Sequence, residues 1–160
     1  MKTFRQFISE EVVRNFTNWV KPSKDDIALE YKVEYQIKPL KRETNDAFPT
    51  LQDFEKAVKD AEVIELTDSV DRKIANRSHT RTKEDIISLI RGYASYPQFR
   101  NEKTVEAIYE GFRQNKPMKM PFILKMPNGR MRIMAGNTRA DIAKQLGVTP
   151  KALLIEVPEK

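Results

Sequence analysis

The chain has no cysteine and only one histidine, His79. The first absence excludes disulfides, thiol catalysis and thiolate metal sites, and suits a reducing, cytosol-like compartment. The second excludes a multi-histidine metal centre, and no metal ligand is assigned. A Ser-His-Asp triad needs only one histidine, but the chain contains no nucleophile motif of the G-x-S-x-G type. There is no run of 18 apolar residues, so no membrane-spanning helix and no membrane partner are expected. The opening "MKTFRQFISEE" lacks the apolar core and small-residue cleavage site of a secretory signal. Internal repeats and low-complexity tracts are also missing.

What is present is enough for one domain with a core: 160 residues, 39% hydrophobic and 32% charged, with a net charge of +6. The charge is unevenly spread. Between Ser69 and Arg139 there are 15 Lys and Arg against 6 Asp and Glu, a net of +9, which leaves −3 for the rest of the chain. Such a segment points to a phosphate-bearing partner, nucleotide or nucleic acid. The competing reading is a basic face that is only solvated.

Patterning divides the chain into elements. Phe4, Phe7, Ile8, Val12, Phe16, Trp19 and Val20 recur at helical spacing, which predicts an amphipathic helix over 2–20. "KPSKDD" (21–26) reads as a linker, so residues 1–24 form an N-terminal unit and 25–160 the domain proper. Residues 28–37 alternate, with Leu29, Tyr31, Val33, Tyr35 and Ile37 on one side, as in a half-buried strand. Thr50 with Asp53 predicts a capped helix to about Asp60, and 62–66 a short strand. Residues 67–81 read as a basic, polar loop. Thr82 caps a helix that buries Ile86, Ile87, Leu89 and Ile90, and Asn101 one that buries Val105, Ile108, Tyr109 and Phe112. "FILKM" and "RMRIM" are strands joined at Asn128-Gly129, a strong hairpin signal. A helix over 138–146 and a continuously apolar strand over 152–157, expected to be central, complete an α+β domain with a small mixed sheet.

The stretch "NGRMRIMAGNTRADIAKQLGVTP" (128–150) admits two readings. A DNA-binding helix-turn-helix would need a second helix after Gly147. "ALLIEVPEK" has no polar face for one and soon meets a proline. The other reading is a strand, a tight turn at Gly136 and a helix N-terminus. Asn137 and Thr138 would cap that helix and present amides, and Arg139 would add a full positive charge in its first turn. Locally, Gly136 could equally be only a turn and Arg139 only solvated.

The segment "PFILKMPNGRMRIMAGNTRADIAKQLGVTPKALLIEV" resembles the core of the ParB/sulfiredoxin superfamily. The shared pattern is a proline before a strand, a hairpin, a G-x-x-R turn, a helix ending in Leu-Gly and a closing strand. "VIELTDSVDRKIANRSHTR" is similar to that family's first strand and its Asn/Arg-containing loop. The resemblance spans roughly 62–157. It implies a ParB/sulfiredoxin-like fold in which Gly136, Asn137, Thr138 and Arg139 hold nucleotide phosphates. The loop residues Asn76, Arg77, His79 and Arg81 would face the same pocket. The implied cofactor is a nucleoside triphosphate, CTP or ATP, with magnesium. Partition-type members carry a glutamate and two arginines in the turn. Here Asn137 replaces the glutamate and Thr138 the first arginine, so the natural magnesium ligand is missing. Sulfiredoxin chemistry needs a cysteine and is excluded. Arg72, Lys73, Arg77, Arg81, Arg130 and Arg132 are the candidate nucleic-acid contacts.

"MKTFRQFISE" resembles the capsid-targeting segment of internal head proteins of T-even-like bacteriophages, which are cleaved after an Ile/Leu-x-Glu triplet. Ile8-Ser9-Glu10 matches it and marks Glu10 as the cleavage position. This implies a protein found in the phage head and, after delivery, in the host cytoplasm.

Three functions remain open. One is a ParB-like domain binding nucleotide or nucleic acid. Another is a ParB-like nuclease or phosphotransferase, for which the candidate carboxylates are Asp68, Asp71, Glu84, Asp85 and Asp141, none paired as a two-metal site requires. The third is a structural head protein whose basic face neutralises DNA.

Overall fold

The structure, a computed structural model, describes residues 13, 15–33, 48–78, 82–91 and 102–159. Within these it is α+β, with six helices and two small sheets. The elements in order are β1 (Trp19–Val20), α1 (Lys24–Lys32), α2 (Leu51–Lys59), β2 (Glu62–Glu65), α3 (Asp68–Asp71), α4 (Lys83–Arg91) and α5 (Glu102–Arg113). They continue with β3 (Met118–Lys119), β4 (Phe122–Lys125), β5 (Met131–Ala135), α6 (Asn137–Gln145) and β6 (Lys151–Glu156).

The main sheet has the order β2-β6-β4-β5. β6 is central, parallel to β4 and antiparallel to β2, as its unbroken apolar run predicts. Both faces are covered, so successive residues of one strand serve different cores. Phe122, Leu124, Leu153 and Ile155 join Ile27, Phe48, Phe54 and Val58 on the face under α1 and α2. Ile123, Ile133 and Ala152 join Leu66, Ile74 and Ala140 on the other. A third cluster of Ile86, Val105, Ile108, Tyr109, Phe112, Ile142, Ala143 and Leu146 ties α4, α5 and α6 together. Each such fully buried side chain contributes roughly 1.5–3 kcal/mol.

Several local expectations hold. Thr50 Oγ1 accepts from Asp53 N at 3.2 Å, and α2 follows. The β4–β5 hairpin closes through Met126 N donating to Arg130 O at 2.8 Å, with Gly129 at φ +87°. Val105, Ile108, Tyr109 and Phe112 are inward; Asn101, their expected cap, lies outside the described residues.

Others are corrected. Residues 15–20, expected at the end of a helix, are not helical: Asn15 has φ +63°, and only Trp19–Val20 form a strand, β1, which pairs in parallel with β3; residues 1–12 and 14 lie outside the described residues. Asn115 holds this segment, accepting from Thr17 N through Oδ1 (3.1 Å) and from Asn18 Nδ2 through its carbonyl (2.9 Å). Val13, Phe16 and Trp19 pack on the third cluster, and Phe16, Trp19 and Phe112 form an edge-to-face triplet with centroids 4.8–5.5 Å apart. The described part of the stripe, Phe16 and Trp19, therefore serves packing, but not on a helix.

Where a linker (21–26) and a strand (28–37) were expected, Lys24 to Lys32 form one helix, α1. Ser23 and Asp26 form a reciprocal capping box there. Ile27 and, one turn on, Tyr31 face the core, while Leu29, placed inside by the alternation, is 52% exposed. Tyr35 and Ile37 lie outside the described residues. Within the expected loop 67–81, Thr67 caps the short α3 and Ile74 bridges in parallel to Met131. Leu89, expected inside α4, is exposed, because the contact with α5 uses Ile86 and Ile87; the Ile90 side chain is outside the description.

Trp19→Ala should lower unfolding free energy by about 2 kcal/mol, since the half-buried indole leaves two ring contacts. Urea unfolding followed by circular dichroism measures it. A loss below about 0.5 kcal/mol, the level of an ordinary surface change, would mean that residues 13–20 are not part of the core.

Candidate phosphate-binding site

β5 ends at Ala135 and the chain turns at Gly136 with φ +90°, a conformation that favours glycine. A Cβ here would lie 2.8 Å from Cα and Cβ of Pro121, the residue that leads into β4. The proline before one strand and the glycine after its neighbour are thus a packed pair. α6 follows immediately with Gly136 as N-cap, so no side chain caps its first turn. Asn137, expected to do so, is the first helical residue and points elsewhere.

It points at the loop. Asn137 Oδ1 accepts from Arg77 Nη1 and from Ser78 N at 3.3 Å, and Ser78 Oγ lies 3.0 Å from it. Arg77 Nη1 also donates to the Asn137 carbonyl at 3.3 Å. The rest of the guanidinium is held by two carboxylates. Nε donates to Asp71 Oδ1 at 2.5 Å, Nη2 to Asp71 Oδ2 at 3.3 Å, and Nη2 lies 2.7 Å from Asp141 Oδ1. Lys144 Nζ lies 2.9 Å from Asp71 Oδ2, and Ser78 Oγ donates to Asp141 Oδ2. The two cations face two buried carboxylates, and the exposed Asp68 adds a third at the rim, 3.1 Å from Lys144 Nζ. The Arg77, Asp71 and Asp141 side chains are 1%, 4% and 2% exposed. Asn137, Asp141 and Lys144 reach the network together because they are spaced i, i+4, i+7 on one side of α6.

A neighbouring contact fixes the same loop to the sheet. Asn76 Nδ2 donates to Ile133 O at 2.8 Å and its Oδ1 accepts from Ile133 N at 2.7 Å. With Ala75 N donating to Met131 O at 3.0 Å, the stretch 74–76 runs parallel to β5 and occupies its outer edge. That placement carries Arg77 and Ser78 to the start of α6.

Burial alone would raise the Asp71 carboxyl. Hydrogen bonds from Arg77 and Lys144, with the charges behind them, outweigh burial and hold it below the ordinary carboxylate range.

The expected site residues are thus divided. Gly136, Asn137, Thr138, Arg139, Asn76 and Arg77 are brought together; Thr138 and Arg139 are half-buried in the first turn of α6. His79, Arg81 and Glu10 lie outside the described residues. Arg77 and Arg132 were expected on a basic surface, and both are buried, 8% and 5% exposed. Arg77 is inside because its fork is taken by carboxylates and Asn137. Arg132 is inside because β5, paired with Leu124 at that position, is covered on both faces. Arg72, Lys73 and Arg130 are exposed. The Ile74–Met131 bridge gathers them at the hairpin end of β5, roughly 20 Å from Gly136 at ~3.3 Å per residue.

Of the candidate catalytic carboxylates, three lie around Arg77 and Lys144 and two on α4. Asp71 and Asp141 are tied to cations, Asp68 accompanies Lys144 at 3.1 Å, and Asp85 Oδ2 accepts from Thr82 N at the start of α4; Glu84 is exposed. Among the described residues no three Asp, Glu or His side chains converge as metal ligands. Sequence reading missed the roles of Ser78 and Lys144. The signal for Lys144 was the polar spacing Asn137, Asp141, Lys144 on a helix that buries Ala140, Ile142 and Ala143.

No protein-family model, curated protein or solved structure matches the chain.

The lowered Asp71 carboxyl has a pH consequence. Its contribution to stability is full above the unfolded value near ~3.9 and is lost as pH falls through the lower folded value. Asp71→Asn should therefore cost about 3–5 kcal/mol at neutral pH, as when a buried pair is broken. The gap to the native protein should narrow below about pH 4 and close in stronger acid. Urea unfolding across that range checks both arms; a gap that widened in acid would refute the assigned pairing.

Proposed function

We propose that this chain is a ParB-like phosphate-binding domain whose α6 N-terminus receives a phosphate of a nucleotide, such as CTP or ATP, or of a nucleic-acid backbone. The observation that carries this reading is the first turn of α6. Gly136 offers no cap and the Asn137 amide is turned inward, so the N-terminal amides of a nine-residue helix stand without a side-chain cap beside Arg139. A helix N-terminus left this way favours an anion. The ion cluster beneath supports the reading further: it fixes the loop 76–78 against the turn, and each of its buried carboxylates has a cation in contact.

Binding is favoured over turnover. Asp71 and Asp141 join the turn through the Asn137–Arg77 contact, and both are held by Arg77, with Lys144 or Ser78 as a second partner. Neither carboxylate is free to hold magnesium or to take a proton from a nucleophile. A nucleic acid suits the two separated basic regions better than a mononucleotide, which does not span the distance from the turn to Arg72, Lys73 and Arg130.

Isothermal titration of the full chain with CTP, ATP and GTP, with and without magnesium, tests the site. Arg139→Ala should weaken the tightest ligand tenfold or more, as expected for removal of a charge-assisted hydrogen bond of roughly 1.5–3 kcal/mol. Unchanged affinity in a folded variant would overturn the assignment.

Replacing Arg72, Lys73 and Arg130 with Gln should act on DNA and leave mononucleotide affinity unchanged. Each cation withdrawn from a phosphate should reduce the slope of log K against log salt by about 0.9. Fluorescence anisotropy with a labelled duplex measures this, and an unaltered slope would remove the hairpin end from the interface.

A further inference from the structure

The two edges of the main sheet differ. The outer edge of β5 is occupied by residues 74–76, partly through the Asn76 side chain. Among the described residues none occupies the outer edge of β2. Leu66 N donates to Pro150 O at 2.8 Å, and the ladder pairs Ile64 with Ala152 and Glu62 with Leu154. In an antiparallel ladder alternate residues turn their backbone groups to the same side. Residues 62, 64 and 66 therefore face β6, and Val63 and Glu65 direct their N–H and C=O outward. No other described residue hydrogen-bonds to these outward groups. Val63 is 41% exposed, an apolar side chain on an open edge.

We propose that this edge of β2 takes up an extended segment of a partner protein that carries two aliphatic residues between two cations. The strand reads Glu62-Val63-Ile64-Glu65. Its side chains alternate, so one face shows Val63 and Glu65 and the other Glu62 and Ile64. An antiparallel partner that places a cation opposite each glutamate and an aliphatic opposite Val63 and Ile64 reads cation-aliphatic-aliphatic-cation. Cross-strand pairs of both kinds are favourable. Charge at the end of the strand points the same way. Beside Glu62 lies a cleft of about 340 Å³ with Asp60 and Glu156 at its rim and Ala57, Ala61 and Leu154 as its apolar lining. A second copy of this chain is a poor occupant, because it would double the carboxylates along one ribbon, which like-charge repulsion opposes. The proposal is independent of the phosphate site.

The test is a nuclear magnetic resonance titration of the full chain with two peptides, Thr-Lys-Val-Val-Lys-Thr and its charge-reversed form with Glu for Lys. Saturable shifts of the Val63 and Glu65 amides, with slowed hydrogen exchange at both, are expected with the first and tenfold or weaker binding with the second. Val63→Pro removes one outward N–H and leaves the ladder to β6 intact, so it should abolish the response. Should that variant fail to fold, the Glu62→Lys/Glu65→Lys protein decides, and its preference should reverse to the glutamate peptide. The proposal is overturned by equal binding of both peptides, by binding that survives Val63→Pro, or by no saturable shift with either. The last outcome would mean that the carboxylates serve only to keep copies apart.

Discussion

The guanidinium of Arg77 is the constraint on which the region around the turn depends. It is a fixed charge that cannot be shed by deprotonation, so its burial requires carboxylates within reach. Asp71 comes from α3 and Asp141 from α6, and the contact therefore locks a short helix, a loop and a longer helix into one arrangement. Lys144 balances the second negative charge. Removing Arg77 would take the cation away from two buried carboxylates at once, which is the costly state; the complete network contributes little net stability. What it provides is position: Arg77 and Ser78 hold the Asn137 amide away from the helix end it would otherwise cap.

A second constraint, steric rather than ionic, acts at the same point. The backbone of Pro121 approaches Gly136 too closely for any side chain there. Close approach and the left-handed φ both demand glycine, and glycine leaves the helix start without a side-chain cap. The feature that supports an anion-binding reading is thus a product of sheet packing and of the ion network together.

The charge distribution also takes a different form in three dimensions. A net of +9 over residues 69–139 suggested one continuous basic face. Arg77 and Arg132 turn inward, and Arg72, Lys73 and Arg130 collect at the far end of β5. Linear charge counting cannot separate these, because it does not know which arginines have carboxylates arriving from elsewhere in the chain. The opposite edge of the sheet carries the acidic strand β2, so the two ends of the sheet order differ in sign as well as in hydrogen-bonding state.

The sequence by itself determined the α+β class, the hairpin at Asn128-Gly129, the capped helix after Thr50, the inward face of α5 and the central place of β6. Each rests on interactions within a few residues or on an unbroken apolar run, which local patterning reports directly. The turn at Gly136 was legible for the same reason. The tertiary structure alone decided that residues 15–20 are not helical and end in the short strand Trp19–Val20, since their partners are Asn115, Met118 and Phe112, about a hundred residues away. It also decided the fate of 24–32, where period-two alternation and a Ser23–Asp26 capping box competed and the box, with Ile27 and Tyr31 entering the core, prevailed. The same holds for Arg77 and Asn137. A buried charge takes its role from groups brought to it by the fold, and no local pattern in the chain specifies which groups those are.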